Sequence, residues 1–266
     1  MPASDKNVRY ITAPNILVRH AFTTRRGGAS GGIFESLNLA QNRGDDEDKV
    51  RENYRIICGE LGILQESLVF SRQIHENTVK TVTRKDAGRL FESVPYECDG
   101  LVTADQDAAL IIFIADCVPV LLHDPQKGVI AAVHAGWRGT VKNICGVAAE
   151  KMAAEFGCDP RDIRAAIGPS ISACCYETDA EVPDALFKAL GDGASSCVTS
   201  HGEKYMVDLK RANRLLLKKA GLTEENIFVS GDCTMCKSDV YWSHRATRGQ
   251  RGSQAAIITL KGLLQH

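Results

Sequence analysis

Two apolar runs in the middle of the chain each end on a polar knot. Ala109–Ile114 (ALIIFI) leads into Ala115-Asp116-Cys117, and residues 128–133 lead into His134-Ala135-Gly136-Trp137-Arg138-Gly139. Short apolar runs closed by turn residues read as buried strands, and functional side chains collect where a strand hands over to a loop. Weaker patterning predicts strands over 16–24, 79–83, 164–167, 226–230 and 255–260, and a short one entered through the turn Cys98-Asp99-Gly100. Helical spacing runs over 45–59, where an acidic first turn (Asp45, Asp46, Glu47, Asp48) precedes Val50, Tyr54, Ile57 and Leu61. A second helix is expected to start near Thr140 as its N-cap, to bury Val141, Ile144, Val147, Ala148, Met152 and Phe156, and to stop at Gly157. Two more are expected over 179–190 and 208–220, the latter capped by Asp208 and followed by Gly221. The alternation is too irregular for repeated βαβ units, and several strand pairs look like hairpins. The predicted class is α+β: a mixed sheet, or two packed sheets, with helices outside. No repeat, low-complexity tract or long linker breaks the pattern, so 1–266 is read as a single domain.

Composition narrows the function classes. The chain has 266 residues, 44% hydrophobic and 24% charged, with a formal net charge of −1. Those are values of an ordinary globular protein, with no global basic field for nucleic acid or an anionic membrane surface. The apolar runs fall far short of the roughly 20 residues of a membrane span. The first residues, MPASDKNVRYITAPN, contain no apolar stretch of the signal-peptide kind, and a cytoplasmic location is expected. Ten cysteines in such a chain suggest reduced thiols, some buried and some free to bind metal. Cys145 falls on the buried face of a helical pattern and is assigned to the core.

The strand ends carry the chemistry. Zinc favours nitrogen and sulfur ligands, and a catalytic zinc commonly keeps three protein ligands and one open position. Cys117 and His134 follow consecutive apolar runs, so neighbouring strands would bring them together, and His75 is the best upstream candidate for a third ligand. A competing reading makes Cys117 a nucleophile and His134 its base, without metal. The pair Cys233-Thr234-Met235-Cys236 stands alone, with no second pair at matching spacing, and does not by itself specify a redox or structural-zinc site. The loop Arg25-Arg26-Gly27-Gly28-Ala29-Ser30-Gly31-Gly32 lets backbone amides approach an anion but has neither P-loop nor GxGxxG spacing. Arg138 beside the expected helix start at Thr140 suggests a phosphate site.

The strings Ala115-Asp116-Cys117-Val118-Pro119-Val120-Leu121-Leu122 and Ala132-Val133-His134-Ala135-Gly136-Trp137-Arg138-Gly139 resemble those of the YfiH/YlmD family, whose members have been labelled polyphenol oxidoreductases or laccase-domain proteins. Phe22-Thr23-Thr24-Arg25, Ser36-Leu37-Asn38-Leu39, Gln73-Ile74-His75, Asp99-Gly100-Leu101-Val102-Thr103, Ile167-Gly168-Pro169, Tyr176-Glu177, Asp208-Leu209, Cys233-Thr234 and Trp242-Ser243-His244-Arg245 match the family in order, so the resemblance covers nearly the whole chain. It implies a single-domain sandwich of mixed sheets with flanking helices, and zinc held by His75, Cys117 and His134. It also implies a purine nucleoside phosphorylase that converts adenosine, inosine, guanosine or 5′-methylthioadenosine with phosphate into base and ribose 1-phosphate, and that can deaminate adenosine.

The oxidase label presumes copper, and the chain lacks the several histidine-rich clusters of a multicopper site. Arg25, Arg138 and Arg245 are candidates for gripping phosphate, because a guanidinium does so bidentately, and Asn38 for the ribose or base. Asp116 adjoins Cys117 as a candidate proton shuttle, although alternation along a strand turns neighbouring side chains to opposite faces. Near the end the chain departs from the family. Ala246 stands where many members carry a second arginine, and Gly252-Ser253 where many have Gly-Arg, with Arg248 and Arg251 as possible compensation. The alternative function is a metal-free cysteine hydrolase or amidase using Cys117 and His134, editing a cell-wall precursor.

Overall fold

The computed structural model describes residues 9–263. In chain order it begins with strands β1 (Tyr10–Ile11) and β2 (Val18–Thr23), helix α1 (Glu47–Leu61), and strands β3 (Leu68–Val69), β4 (Val79–Thr81), β5 (Gly100–Thr103) and β6 (Ala109–Ile114). Next come β7 (Val118–Asp124), β8 (Val129–Ala135), α2 (Trp137–Val141), α3 (Ile144–Phe156), β9 (Arg164–Ile167), β10 (Glu177–Thr178) and α4 (Glu181–Leu190). The last elements are β11 (Val198–His201), β12 (Lys204–Val207), α5 (Leu209–Lys219), β13 (Ile227–Val229), α6 (His244–Thr247) and β14 (Gln254–Leu263).

Two mixed sheets lie face to face. One has the order β1-β2-β14-β6-β3, the other β13-β9-β7-β8-β5-β4, and a small antiparallel sheet β10-β12-β11 stands apart from both. Strand alternation decides which side chain goes where. Leu110 and Ile112 of β6, Leu121 of β7 and Ile130 and Ala132 of β8 share the core between the sheets. Val120 and Leu122, one residue out of phase with Leu121, turn the other way onto Ile144, Ala148 and Met152 of α3 and Ala212 of α5. Ala109 and Ile111 face outward onto Val50, Tyr54 and Ile57 of α1. The layers are therefore helix, sheet, sheet, helices, the α+β sandwich expected from the sequence. Cys145 sits in this core, its Sγ 3.2 Å from Asn213 Oδ1.

Three expectations need correction. The apolar runs ending at Cys117 and His134 are not neighbouring strands: β6 lies in one sheet and β8 in the other. The partner of β8 is β7, the Val118–Asp124 run that follows Cys117, and every residue of both strands is buried. The chain crosses from sheet to sheet at Asp116, where φ is +84°. Thr140 is not an N-cap, because the helix begins three residues earlier after Gly136 and breaks at Asn143, whose φ is +59°, before resuming as α3. Thr140 is wholly buried, with its hydroxyl between the Ala135 carbonyl and the Asn213 amide, so the helix start beside Arg138 lies at Gly136 and Trp137 instead. The first long helix is capped by Asp46, whose carboxylate accepts the amides of Asp48 and Lys49.

Candidate metal centre and active-site cavity

His134 is near the end of β8, and the ladder pairs it with Pro119, two residues beyond Cys117. That ladder is what brings the thiol and the imidazole together. His75 arrives on the loop after β3, with φ at +62°. Gln73 pins this loop to the edge of β6: its side-chain amide donates to the Phe113 carbonyl (2.8 Å) and accepts from the Phe113 amide (2.7 Å). The ligating atoms of His75, Cys117 and His134 all lie within 4.8 Å of one another, and the two imidazole rings meet edge to face at 4.8 Å between centroids.

Asp99, just before β5, holds the group in place. Its carboxylate accepts the backbone amides of Ile74 (3.1 Å), His75 (3.0 Å) and Glu76 (3.0 Å). The same carboxylate accepts His134 Nδ1–H at 2.8 Å, which leaves Nε2 of that ring to serve as a metal ligand or, when protonated, as a donor to Cys117. The Asp99 carbonyl accepts the His134 amide at 2.7 Å. Burial opposes the negative charge on Asp99, but His134 and the amides outweigh it and hold the carboxyl below its ordinary value. Burial likewise pushes the Cys117 thiol up, yet the His134 charge and hydrogen bonds from His134 and His75 prevail and bring it down to about 6. His134 moves the other way: burial disfavours its charge, and Cys117 and Asp99 more than restore it, to about 9. Without a metal this is a thiolate–imidazolium pair steadied by a carboxylate. With one, it is a soft N, N, S donor set. Gly136 makes room for it, since a Cβ there would lie 3.2 Å from His75 Cδ2 and 3.3 Å from Cys117 Sγ.

The three residues open onto a cavity of about 440 Å³, also lined by Phe113, Gln73, Arg43 and Arg251. Phe113 stacks on the buried Phe70, with 6.2 Å between centroids and 13° between ring planes. Arg251 is half-buried, donates Nη1–H to the Gly252 carbonyl and to Ser253 Oγ, and has a buried Nε with no partner. Burial and the neighbouring Arg43 guanidinium both work against its charge, while Asp116 and Cys117 favour it. Two guanidinium groups facing one cavity, with no ion pair to either among the described residues, make an anion-seeking wall.

The other candidates lie elsewhere. Asn38 is wholly buried, its amide spent on Asp45, Ala40 and Ser253. Arg25 donates to the carbonyls of Glu35 and Ser238 and lies over Trp242 at 4.0 Å. Neither lines the cavity. Arg138 and Arg245 gather around Tyr176, whose hydroxyl is raised to about 12 by burial and by the Cys117 charge, with the two arginines opposing. The Asp116 carboxylate accepts Thr234 Oγ1–H (2.6 Å) and the Arg245 amide (2.7 Å), so both of its oxygens are engaged in the loop. Sequence reasoning missed Asp99 and Arg43. The only signal for Asp99 was its place at the head of the DGLVT string, and Arg43 had none.

Residues 19–261 match the family model described as multi-copper polyphenol oxidoreductase laccase. The chain is 38% identical over 244 residues to purine nucleoside phosphorylase YlmD of Bacillus subtilis, covering 90% of this chain and 87% of that protein. It is 40% identical over 250 residues to a purine nucleoside phosphorylase of Deinococcus radiodurans, covering 94% and 92%. The crystal structure of YlmD from Geobacillus stearothermophilus aligns with a TM-score of 0.88 at 35% identity, over 94% of each chain. The chain thus belongs to the YfiH/YlmD family, the group whose family model carries the laccase description.

Proposed function

We propose that this protein is a zinc-dependent purine nucleoside phosphorylase that takes adenosine, inosine, guanosine or 5′-methylthioadenosine with phosphate to free base and ribose 1-phosphate, with adenosine deamination as a second activity. The observation that carries the reading is the convergence of His75, Cys117 and His134 at a cavity that also presents Arg43 and Arg251. The relatives' names supply the reaction class.

The donor set fits zinc: one thiolate already favoured as an anion, and two imidazoles, one of them held in a fixed tautomer by Asp99. Among the described residues the other metal-capable cluster is made only of cysteines, which argues for zinc here over the histidine-rich sites of a multicopper oxidase. When bound, zinc supplies Lewis acidity at the cavity wall. The chain's own residues do the rest. Arg43 and Arg251 hold phosphate and offset its charge, and the unpartnered Nε of Arg251 is a ready donor. Phe113 offers an apolar face to the base. Asp99 keeps the metal-facing edge of His134 aimed at the cavity. Arg25, Asn38, Arg138 and Arg245, favoured by motif position, pass to supporting roles around the site in this reading.

A second reading rests on a specific feature, the Cys117–His134–Asp99 arrangement with its lowered thiol. It would make the protein a metal-free cysteine hydrolase or amidase. One experiment separates the two: metal content of the wild type and Cys117→Ala, together with phosphate-dependent release of base from adenosine. The phosphorylase reading expects one metal equivalent and the activity to vanish together with Cys117. Equal metal in both proteins, no phosphorolysis in the wild type and rapid alkylation of Cys117 would overturn it in favour of the hydrolase.

A further inference from the structure

We infer that Cys174, Cys175, Cys233 and Cys236 form a second, purely structural site for a single zinc ion. The sequence separates them into a vicinal pair and a CxxC pair, with 57 residues between Cys175 and Cys233. The sheet brings them together. β9 and β13 are parallel neighbours, so the loops leaving their C-terminal ends emerge side by side. A further parallel bridge, Ser170 to Cys233, carries that pairing into the loops.

The four sulfurs lie within 4.8 Å of one another. Cys236 Sγ is 3.5 Å from Cys174 Sγ and 3.3 Å from Cys175 Sγ. A tetrahedral ion with Zn–S bonds of about 2.3 Å separates its sulfurs by about 3.8 Å, so the group is already close to the required spacing. A disulfide accounts for the arrangement less well. It would join Cys236 to one of two nearly equidistant thiols and leave Cys233 and the other thiol without a role. A polynuclear iron–sulfur cluster places inorganic sulfide between its cysteines and needs a wider cage.

Two features outside the sulfurs point the same way. The Ser172 amide donates to Cys233 Sγ at 3.4 Å, the type of N–H···S bond that stabilises a thiolate ligand. Lys210 is 5% exposed, and its ammonium donates to the carbonyls of Ser230 (3.0 Å) and Asp232 (2.6 Å), on the loop that carries Cys233. Binding of a zinc ion releases the thiol protons and leaves four thiolates around a divalent cation, a net charge of minus two. The buried Lys210 is placed to compensate part of it.

With four protein ligands the ion has no open position, and its role is to tie two loops together. Those loops also hold the turn before Cys117: the Ile171 amide donates to the Asp116 carbonyl at 2.9 Å, and Thr234 Oγ1 donates to the Asp116 carboxylate at 2.6 Å. The second ion would therefore brace the wall of the catalytic cavity without touching substrate.

The test uses the full chain purified under reducing conditions without chelator, in the Cys117→Ala background so that the first site contributes nothing. The expected result is one zinc per chain, with an X-ray absorption shell of four sulfurs at about 2.3 Å. Adding Cys174→Ser and Cys236→Ser should remove that equivalent. Both thiols are exposed, so the substitutions leave the core packing alone, and circular dichroism checks the fold. The inference is overturned if the Cys117→Ala protein is metal-free and does not take up cobalt with the visible spectrum of a tetrathiolate. It is equally overturned if the intact mass is two hydrogens light and peptide mapping finds a disulfide within the cluster.

Discussion

Asp99 receives hydrogen bonds from three consecutive amides and from the His134 ring on one buried carboxylate. An amide side chain cannot accept at both ends, so Asp99→Asn turns donors toward donors and frees both the His75 loop and the His134 tautomer. Metal affinity is expected to fall about 10- to 100-fold, measured by competition with a chelator of known strength. Gly136→Ala acts on the same site by volume. The added methyl meets His75 and Cys117 at 3.2 and 3.3 Å, and loss of metal and activity is expected with the melting temperature nearly unchanged. Arg251→Ala tests the anion wall: the KM for phosphate should rise about tenfold or more while that for nucleoside stays within a factor of two or so. In the sequence Asp99 and Gly136 stand inside motifs and Arg251 is a stray basic residue. The role of Asp99 was hidden because its partners at 74–76 and 134 are remote in the chain.

At the scale of elements, the helix after Asp208 was legible because cap, charge and stop agree locally, and Asp208 does accept the Arg211 amide. The α2–α3 break was not: the apolar spacing runs on past Asn143, which takes a left-handed φ, while Thr140 is hydrogen-bonded to Asn213 of α5. The strand β7 escaped because Pro119, which cannot donate to a ladder, interrupts its apolar run, and the strand ends on the polar His123 and Asp124. Its Leu121 is wholly buried between the sheets, and Leu121→Ala should cost about 2–5 kcal/mol in urea unfolding. Gly168 follows β9 at a close approach: a Cβ there would lie 2.3 Å from the ring of Phe22 in the opposite sheet. Gly168→Ala is expected to destabilise by about 1–3 kcal/mol through overpacking, read by the same titration.

The molecule as a whole closes two buried histidines between its sheets. His20 is on β2 and His123 on β7, 1% and 2% exposed, each in phase with the residues of the shared core. Burial lowers both, His123 to about 4, and His123 Nδ1 has no partner. Both imidazoles are thus neutral in the fold at a pH where the unfolded chain already binds protons. Stability is full above about pH 6.5 and is lost as pH falls toward 4, by up to about 3 kcal/mol for His123 alone. Urea midpoints measured between pH 7 and pH 4.5 should decline, and His123→Gln should flatten the decline. A His123→Gln protein with the wild-type acid slope would refute this account.

Local matters can be read from the chain alone: many of the runs that become strands or helices, the α+β class, the place of Cys117 and His134 at strand boundaries, and, through its motifs, the family. These follow from side-chain periodicity, capping and turn chemistry, which act over a few residues. Which strands share a sheet emerges in the folded molecule, and with it the meetings of β7 with β8, Asp99 with His134, Arg43 with Arg251, and one cysteine pair with the other. Sheet order is set by the burial of whole faces against one another, a sum over the entire core that no short stretch of chain encodes.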